Sequence, residues 1–190
     1  SDGQLLFLQH IISKMALQGM AVVVHNGSTL FSGDAGSGES EIRKWMFEQD
    51  IVEAIIQLPT DEFFNTGIYT YLWILNKNKK HPNKVMLINA DDKFIPLNKS
   101  KGKKRKEVDE ISRLDIVKTL SDFEPNDWAK IFDKEFFYFN KQAIQLTNLD
   151  YQDKTIESSL KGKDKSIKLN PIKIEQDDLV LDTFDITTFD

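Results

Sequence analysis

Cysteine is absent from this 190-residue chain. That excludes disulfide staples and zinc–thiolate sites, and it fits a cytoplasmic protein. No apolar run approaches the roughly 20 residues that span a bilayer, and no signal-peptide pattern is visible, so no membrane partner is expected. Histidine is scarce. His10, His25 and His81 lie far apart and lack ligand spacing, which argues against a metal site. No Ser-His-Asp or Cys-His arrangement offers a nucleophile. A surplus of positive charge is missing as well. The formal net charge of −5 speaks against nucleic-acid binding over the whole surface but permits a local basic patch.

What is present suits one or two modest domains with a hydrophobic core. The chain is 40% apolar and 29% charged, the balance of a soluble, globular protein. It opens at Ser1 directly into a helical pattern and ends at Asp190, and we read it as a piece of something longer.

Leu5, Leu8, Ile11, Ile12 and Met15 recur with a period near 3.6 and predict a helix over 4–18, with Asp2 as N-cap and Gly19 as C-terminal stop. Met20 to Val24 is almost wholly apolar and reads as a strand buried on both faces, as in a parallel sheet. Asn26-Gly27 breaks the chain, and Phe31 to Ser40 should be a loop. A helix follows at about 40–49, with Ile42, Trp45 and Met46 on one face and Glu39 and Glu41 at its positive end. Ile51 to Leu58 is a second buried strand. Helix, strand, helix, strand is the α/β doubly wound pattern. Tyr69 to Leu75 comes after a loop too short for a helical crossover, so it should pair antiparallel. Val85 to Ala90 is another strand.

Character changes after Asp92. Six cations fall within Lys99 to Lys106, in what reads as a basic loop. A helix is predicted over 108–121 and a short strand over Phe136 to Phe139. From about residue 150 the chain is polar, and 175–190 carries Glu175, Asp177, Asp178, Asp182, Asp185 and Asp190 without a base. Three parts are therefore expected: 1–92, 93–149, and a polar, acidic extension over 150–190.

The most informative stretch runs from Ile55 to Lys77. An apolar strand stops at Pro59, then Phe63-Phe64-Asn65-Thr66-Gly67 forms a polar turn bearing two aromatics, and a second apolar strand begins. Two successive residues of an extended segment point to opposite sides. One phenylalanine should therefore be core and the other exposed. The basic run has two readings, a solvated loop or a set of phosphate contacts. Two further motifs are weaker. Asp34-Ala35-Gly36-Ser37-Gly38 has the form of a cofactor-binding turn, but such glycines belong directly at a strand's carboxyl end, and here the strand ends near His25. Asn170-Pro171 reads as a turn.

Taken in order, several segments resemble the modification (M) subunit of type I restriction-modification systems, an N6-adenine DNA methyltransferase. They are Ser1 to Leu8, Asn26-Gly27-Ser28 with Leu30-Phe31, Gly33 to Trp45, Phe63 to Lys77, and Gly102-Lys103-Lys104-Arg105-Lys106-Glu107 with its helix to Phe123. The resemblance covers residues 1 to about 140. It implies an α/β fold, the C-terminal half of a Rossmann-like S-adenosylmethionine-dependent methyltransferase sheet with an antiparallel last strand, followed by the polar extension. Residues 20–25, 51–58 and 69–75 would be its strands five, six and seven, and strand five would expose an edge where strand four pairs.

The resemblance also implies site-specific adenine methylation of DNA and two protein partners, a specificity (S) subunit and a restriction (R) subunit. The cofactor turn and the catalytic Asn-Pro-Pro-aromatic motif would lie upstream of Ser1, so no catalytic residue is assigned in this chain, and the chain alone should be inactive. Phe64, with Phe63 and Asn65, would contact the target base extruded from DNA. Lys101, Lys103, Lys104, Arg105 and Lys106 would contact its backbone. Two other readings stay open. One is a non-catalytic DNA- or subunit-binding module derived from this fold. The other is a different α/β enzyme using the Gly33–Gly38 loop for a phosphate.

Overall fold

A computed structural model describes residues 3–138. The Asp2 cap, the Asn170-Pro171 turn and the 150–190 extension lie outside the described residues. The elements are α1 (Gln4–Lys14), β1 (Met20–Asn26), α2 (Ser28–Phe31), α3 (Gly38–Glu48), β2 (Val52–Leu58), β3 (Thr70–Asn76), β4 (Lys84–Asn89), β5 (Ile95–Lys101), β6 (Lys104–Glu107), α4 (Glu110–Asp122), β7 (Ala129–Asp133) and a 3-10 turn, Lys134–Phe137. None of the described helices is long and apolar enough to cross a membrane.

Five strands form one sheet in the order β1-β3-β2-β4-β7, and β5 pairs with β6 in a separate hairpin. β3 lies between β1 and β2 and is antiparallel to both, as its short preceding loop requires. β2 and β4 are parallel, and β7 closes the far side antiparallel to β4. The sheet is thus mainly antiparallel. The alternation of helix and strand predicted a doubly wound α/β pattern, and β3 lies between β1 and β2, which makes most pairings antiparallel.

Two cores cover the two faces. On one, α1 sets down Leu5, Leu8 and Ile12 and α3 sets down Met46 and Phe47 against Val52, Ile55, Trp73, Leu75 and Val85. On the other, Ile116 of α4 and Phe123 just beyond it meet Ala54, Ile56, Leu58, Ile74, Met86 and Ile88. β2 serves both faces by alternation over Ala54 to Leu58, and a register shift interrupts its pairing with β3 between Val52 and Ala54. The extra residue, Glu53, breaks the two-residue alternation, so Val52 shares a face with Ile55 rather than with Ala54. Trp73 is fully buried, and its indole N–H donates to Thr29 Oγ1 at 3.3 Å. That bond accounts for a threonine buried in the single-turn α2, since an indole N–H taken from water needs an acceptor.

Four expectations are corrected. β1 is not buried on both faces, because Met20, Val22 and Val24 are exposed. Among the described residues no element covers that face of β1, and no strand pairs with its outer edge. The first helix ends at Lys14, where Met15 turns extended. The basic run is not a loop but most of a β-hairpin, with Lys101 opposite Lys104 and Ile95 opposite Glu107. Finally, Phe136 and Phe137 belong to a 3-10 turn, and the strand lies earlier, at Ala129–Asp133. Phe137 stacks on Phe47 with ring centroids 4.6 Å apart, a contact that a continued edge strand would not make.

Candidate nucleic-acid interface

The loop from Thr60 to Tyr69 leaves β2 and returns into β3, and its two phenylalanines separate as successive residues of an extended segment should. Phe63 packs on the α4-side core, while Phe64 is 63% exposed. A bridge between Phe63 and Thr66 closes the turn, and Asn65 is exposed at its tip. Gly67 sits where an added Cβ would lie 2.7 Å from Asp61 Oδ1, so the turn closes tightly only without a side chain there. Thr70, the first residue of β3, is buried, and the exposed part of the loop ends there.

The basic hairpin lies directly against this loop. Lys103 N–H donates to the Phe64 carbonyl at 2.9 Å. The N–H groups of Arg105 and Lys106 share the Asp61 carbonyl, at 2.9 and 3.3 Å. At the hairpin's turn, Gly102 has φ +64°, and an added Cβ would approach the Phe64 carbonyl to 2.5 Å. Two features that the sequence separates by some forty residues therefore form one surface.

The five cations expected to touch DNA do not behave alike. Lys101, Lys103 and Arg105 are exposed, and Lys99 joins them. Lys104 is buried. Its Nζ lies 2.9 Å from Glu62 Oε1, with the two side chains only 11% and 15% exposed. Its charge is met inside the protein, which weighs against a phosphate contact there. Lys106 is half-buried, donating to Thr60 Oγ1 at 3.2 Å and lying 4.1 Å from the centre of the Phe94 ring. The second oxygen of Glu62 accepts the Val108 N–H at 2.9 Å. Next to it Asp109 caps α4 by accepting from Ser112 N–H at 3.1 Å, and these bonds hold the Asp109 carboxyl below its usual pKa. Glu62 thus ties the aromatic loop to the hairpin and to the start of α4. The sequence reading missed it, because the only signal is the second of two adjacent acids before Phe63, 42 residues from its partner.

The Gly33–Gly38 loop is organised from within. Arg43 of α3 reaches back to the carbonyls of Thr29, Ser32 and Gly33, and burial lowers its guanidinium pKa. Ser37 caps α3 by accepting from Ser40 N–H. Gly33 has φ +83°, and a Cβ there would run into Ser37 Oγ and into Glu39 Cβ at 2.8 Å. The loop stands apart from the end of β1 at Asn26, across α2. The described residues do not fit S-adenosylmethionine at this loop: its inner space holds its own side chains, and no strand end delivers its glycines to a ligand.

A separate cleft of about 780 Å³ opens on the α3 side of the sheet, with Trp73, Tyr71 and Phe47 among its apolar walls and Asp91, Asp92 and Asp127 among its polar ones. Near it, Tyr69 donates to Asp91 at 3.3 Å, and the carboxylate's negative charge raises the phenol's pKa. Arg43 and Lys130 line the same cleft, so its charge is mixed.

The fold matches a known class. The methyltransferase subunit of a type I restriction-modification system from Streptococcus thermophilus superposes with a TM-score of 0.62 at 28% identity, covering 71% of this chain and 27% of that one. The family model described as N-6 DNA Methylase matches residues 1–159, and the chain belongs to that family. Among curated relatives, the type I restriction enzyme HindI methylase subunit of Haemophilus influenzae is 38% identical over 85 residues, which are 44% of this chain and 18% of that protein. The MjaVIII methylase subunit of Methanocaldococcus jannaschii is 30% identical over 136 residues, 67% of this chain and 22% of the relative. The chain spans about a fifth of the length of these relatives.

Proposed function

We propose that this chain is the substrate-side part of a type I methylase subunit that methylates adenine in DNA at N6. The observation that carries the proposal is the exposure of Phe64 on a loop whose carbonyl is bound by a hairpin bearing Lys99, Lys101, Lys103 and Arg105 at the surface. An aromatic face beside a line of cations suits a base drawn out of a duplex and the phosphates flanking it. Phe64 stacks on the extruded adenine, Asn65 lies at the rim of the pocket, and Phe63 supports the loop from the core. The exposed cations contact phosphates without reading sequence.

The placement of β3 between β1 and β2 supports the Rossmann-like half-sheet, with β1, β2 and β3 as its strands five, six and seven. The unpaired outer edge of β1 and the bare face of Met20, Val22 and Val24 support a further strand and covering element in the intact protein. S-adenosylmethionine supplies the methyl group there. The main residues for it belong upstream of Ser1 on the family resemblance, and the 190-residue chain alone transfers no methyl group. A specificity subunit selects the sequence, a restriction subunit completes the system, and the assembly works in the cytoplasm on DNA.

The test uses the intact methylase that carries this chain, radiolabelled methyl donor and a duplex containing its recognition site. Label is expected in N6-methyladenine, and Phe64→Ala should cut kcat/KM roughly 5- to 150-fold, the equivalent of about 1–3 kcal/mol of base stacking. Label in cytosine, or transfer by the purified 190-residue chain, would refute the reading. Specific DNA binding by the intact protein without any methyl transfer would favour a non-catalytic DNA-binding module.

A further inference from the structure

We infer that Glu62 and Lys104 are positioning residues for Phe64, and that the β5–β6 hairpin is the brace through which they act. This rests on the base-contact reading of Phe64 and adds how that ring is held. An exposed aromatic at the tip of a polar loop has little packing of its own to fix it, and stacking demands a defined plane.

The hairpin supplies the constraint from three directions. Its turn holds the Phe64 carbonyl through Lys103 N–H, with Gly102 leaving the room for that approach. Its second strand holds the Asp61 carbonyl twice. Between these, Lys104 passes beneath the loop to Glu62, and its Nζ lies 5.9 Å from the centre of the Phe64 ring. Glu62 then passes the constraint to the start of α4 through Val108 N–H.

The division of labour follows from burial. A cation with a side chain 11% exposed and a carboxylate at 2.9 Å has no charge free for a phosphate. A buried pair bonded on both sides fixes geometry more than it adds net stability. The neighbouring exposed cations take the opposite role, meeting the DNA backbone while their strands hold the loop. Phosphate engagement and ring placement are therefore mechanically joined in one hairpin.

The experiment uses the intact methylase carrying this chain and two duplexes, one with the target adenine for kcat and one with 2-aminopurine in its place, which has no N6 amino group to methylate but whose fluorescence rises when the base leaves the stack. Lys104→Met and Glu62→Gln are each expected to lower kcat at least tenfold and to change the 2-aminopurine emission. DNA Kd should stay within threefold, and the salt dependence of binding should keep its slope. Lys104→Arg should restore most of kcat and emission. Lys103→Ala and Arg105→Ala should instead each reduce the slope of log K against log salt by about 0.9.

If Lys104→Met lowers the salt slope by about that amount while kcat and emission stay at wild type, Lys104 is an ordinary phosphate contact and the inference is overturned. If Lys104→Met does not fold, Glu62→Gln decides by the same readouts, since its amide oxygen still accepts from Val108, and wild-type kcat and emission there overturn the inference too. Wild-type behaviour of Phe64→Ala would sink the base-contact reading and this inference together. A normal Phe64→Ala defect with silent Glu62 and Lys104 variants would sink the inference alone.

Discussion

Two glycine-bearing loops in this molecule look equally functional on paper, and they are built in opposite ways. The Gly33–Gly38 loop carries the letters of a cofactor turn, yet Arg43 binds its carbonyls and Ser37 and Glu39 crowd its glycine. The Phe63–Gly67 loop matches no nucleotide motif, yet it turns an aromatic outward and is tied to its neighbours by the buried Lys104–Glu62 pair. A ligand loop is distinguished by where its constraint comes from. When a loop is held by neighbouring elements, its tip stays free for a partner. When it is held across its own interior, that interior is already taken.

The contrast breaks most readily at Glu62. Glu62→Ala strands a buried lysine and leaves Val108 N–H without its acceptor, and it should cost about 3–5 kcal/mol, read by denaturant unfolding. No single side chain of the Gly33–Gly38 loop should match that loss. Next come the glycines. Gly33→Ala and Gly102→Ala both force a side chain into the left-handed region against close neighbours, and each should destabilise by about 1–3 kcal/mol. Only Gly102→Ala should also alter DNA binding, as measured by fluorescence anisotropy. Phe64→Ala sharpens the comparison from the other side. Unfolding should move by less than about 0.5 kcal/mol, as for an exposed position, while affinity for a duplex with an unpaired target base falls.

The smallest effect concerns pH. The Asp109 carboxyl is held below its usual pKa by its bonds to Ser112, so the stability it lends α4 is present above the ordinary carboxylate pKa. That stability is lost as pH falls through the lower, folded value. Protection of the Ser112 amide against exchange, taken relative to its intrinsic rate at each pH, should fall in that acid window, and Asp109→Asn should flatten the fall. The Ser37 cap of α3, with no carboxyl to protonate, should show no such step.

Much of the frame is legible in the sequence because it is local. The period of Leu5, Leu8 and Ile12 marks α1. The short span between Leu58 and Thr70 fixes the antiparallel entry of β3. The adjacency of Phe63 and Phe64 places one inside and one outside. What escapes is decided at long range. Lysine-rich segments have poor strand propensity, so nothing within Lys99–Lys106 announces a hairpin. Its partner is a loop forty residues earlier, which also turns Lys104 from a surface charge into an interior one. β7 was overlooked although Ala129 and Ile131 alternate with Lys130, because the run of aromatics just after it looked more strand-like. The exposure of Val22 and Val24 depends on which elements lie over them, and an apolar run cannot report that.

The register shift at Glu53 has one more consequence. A regular strand that slips by one residue turns every side chain to the opposite face. β2 is spared this at Glu53, because Val52 and Ala54 already face opposite cores. Deleting Glu53 would restore plain alternation and leave Val52, Ala54 and Ile55 on the faces they hold now. A one-residue deletion between Ile55 and Leu58 has no such slack, and would turn the residues leading to the aromatic loop to the wrong core.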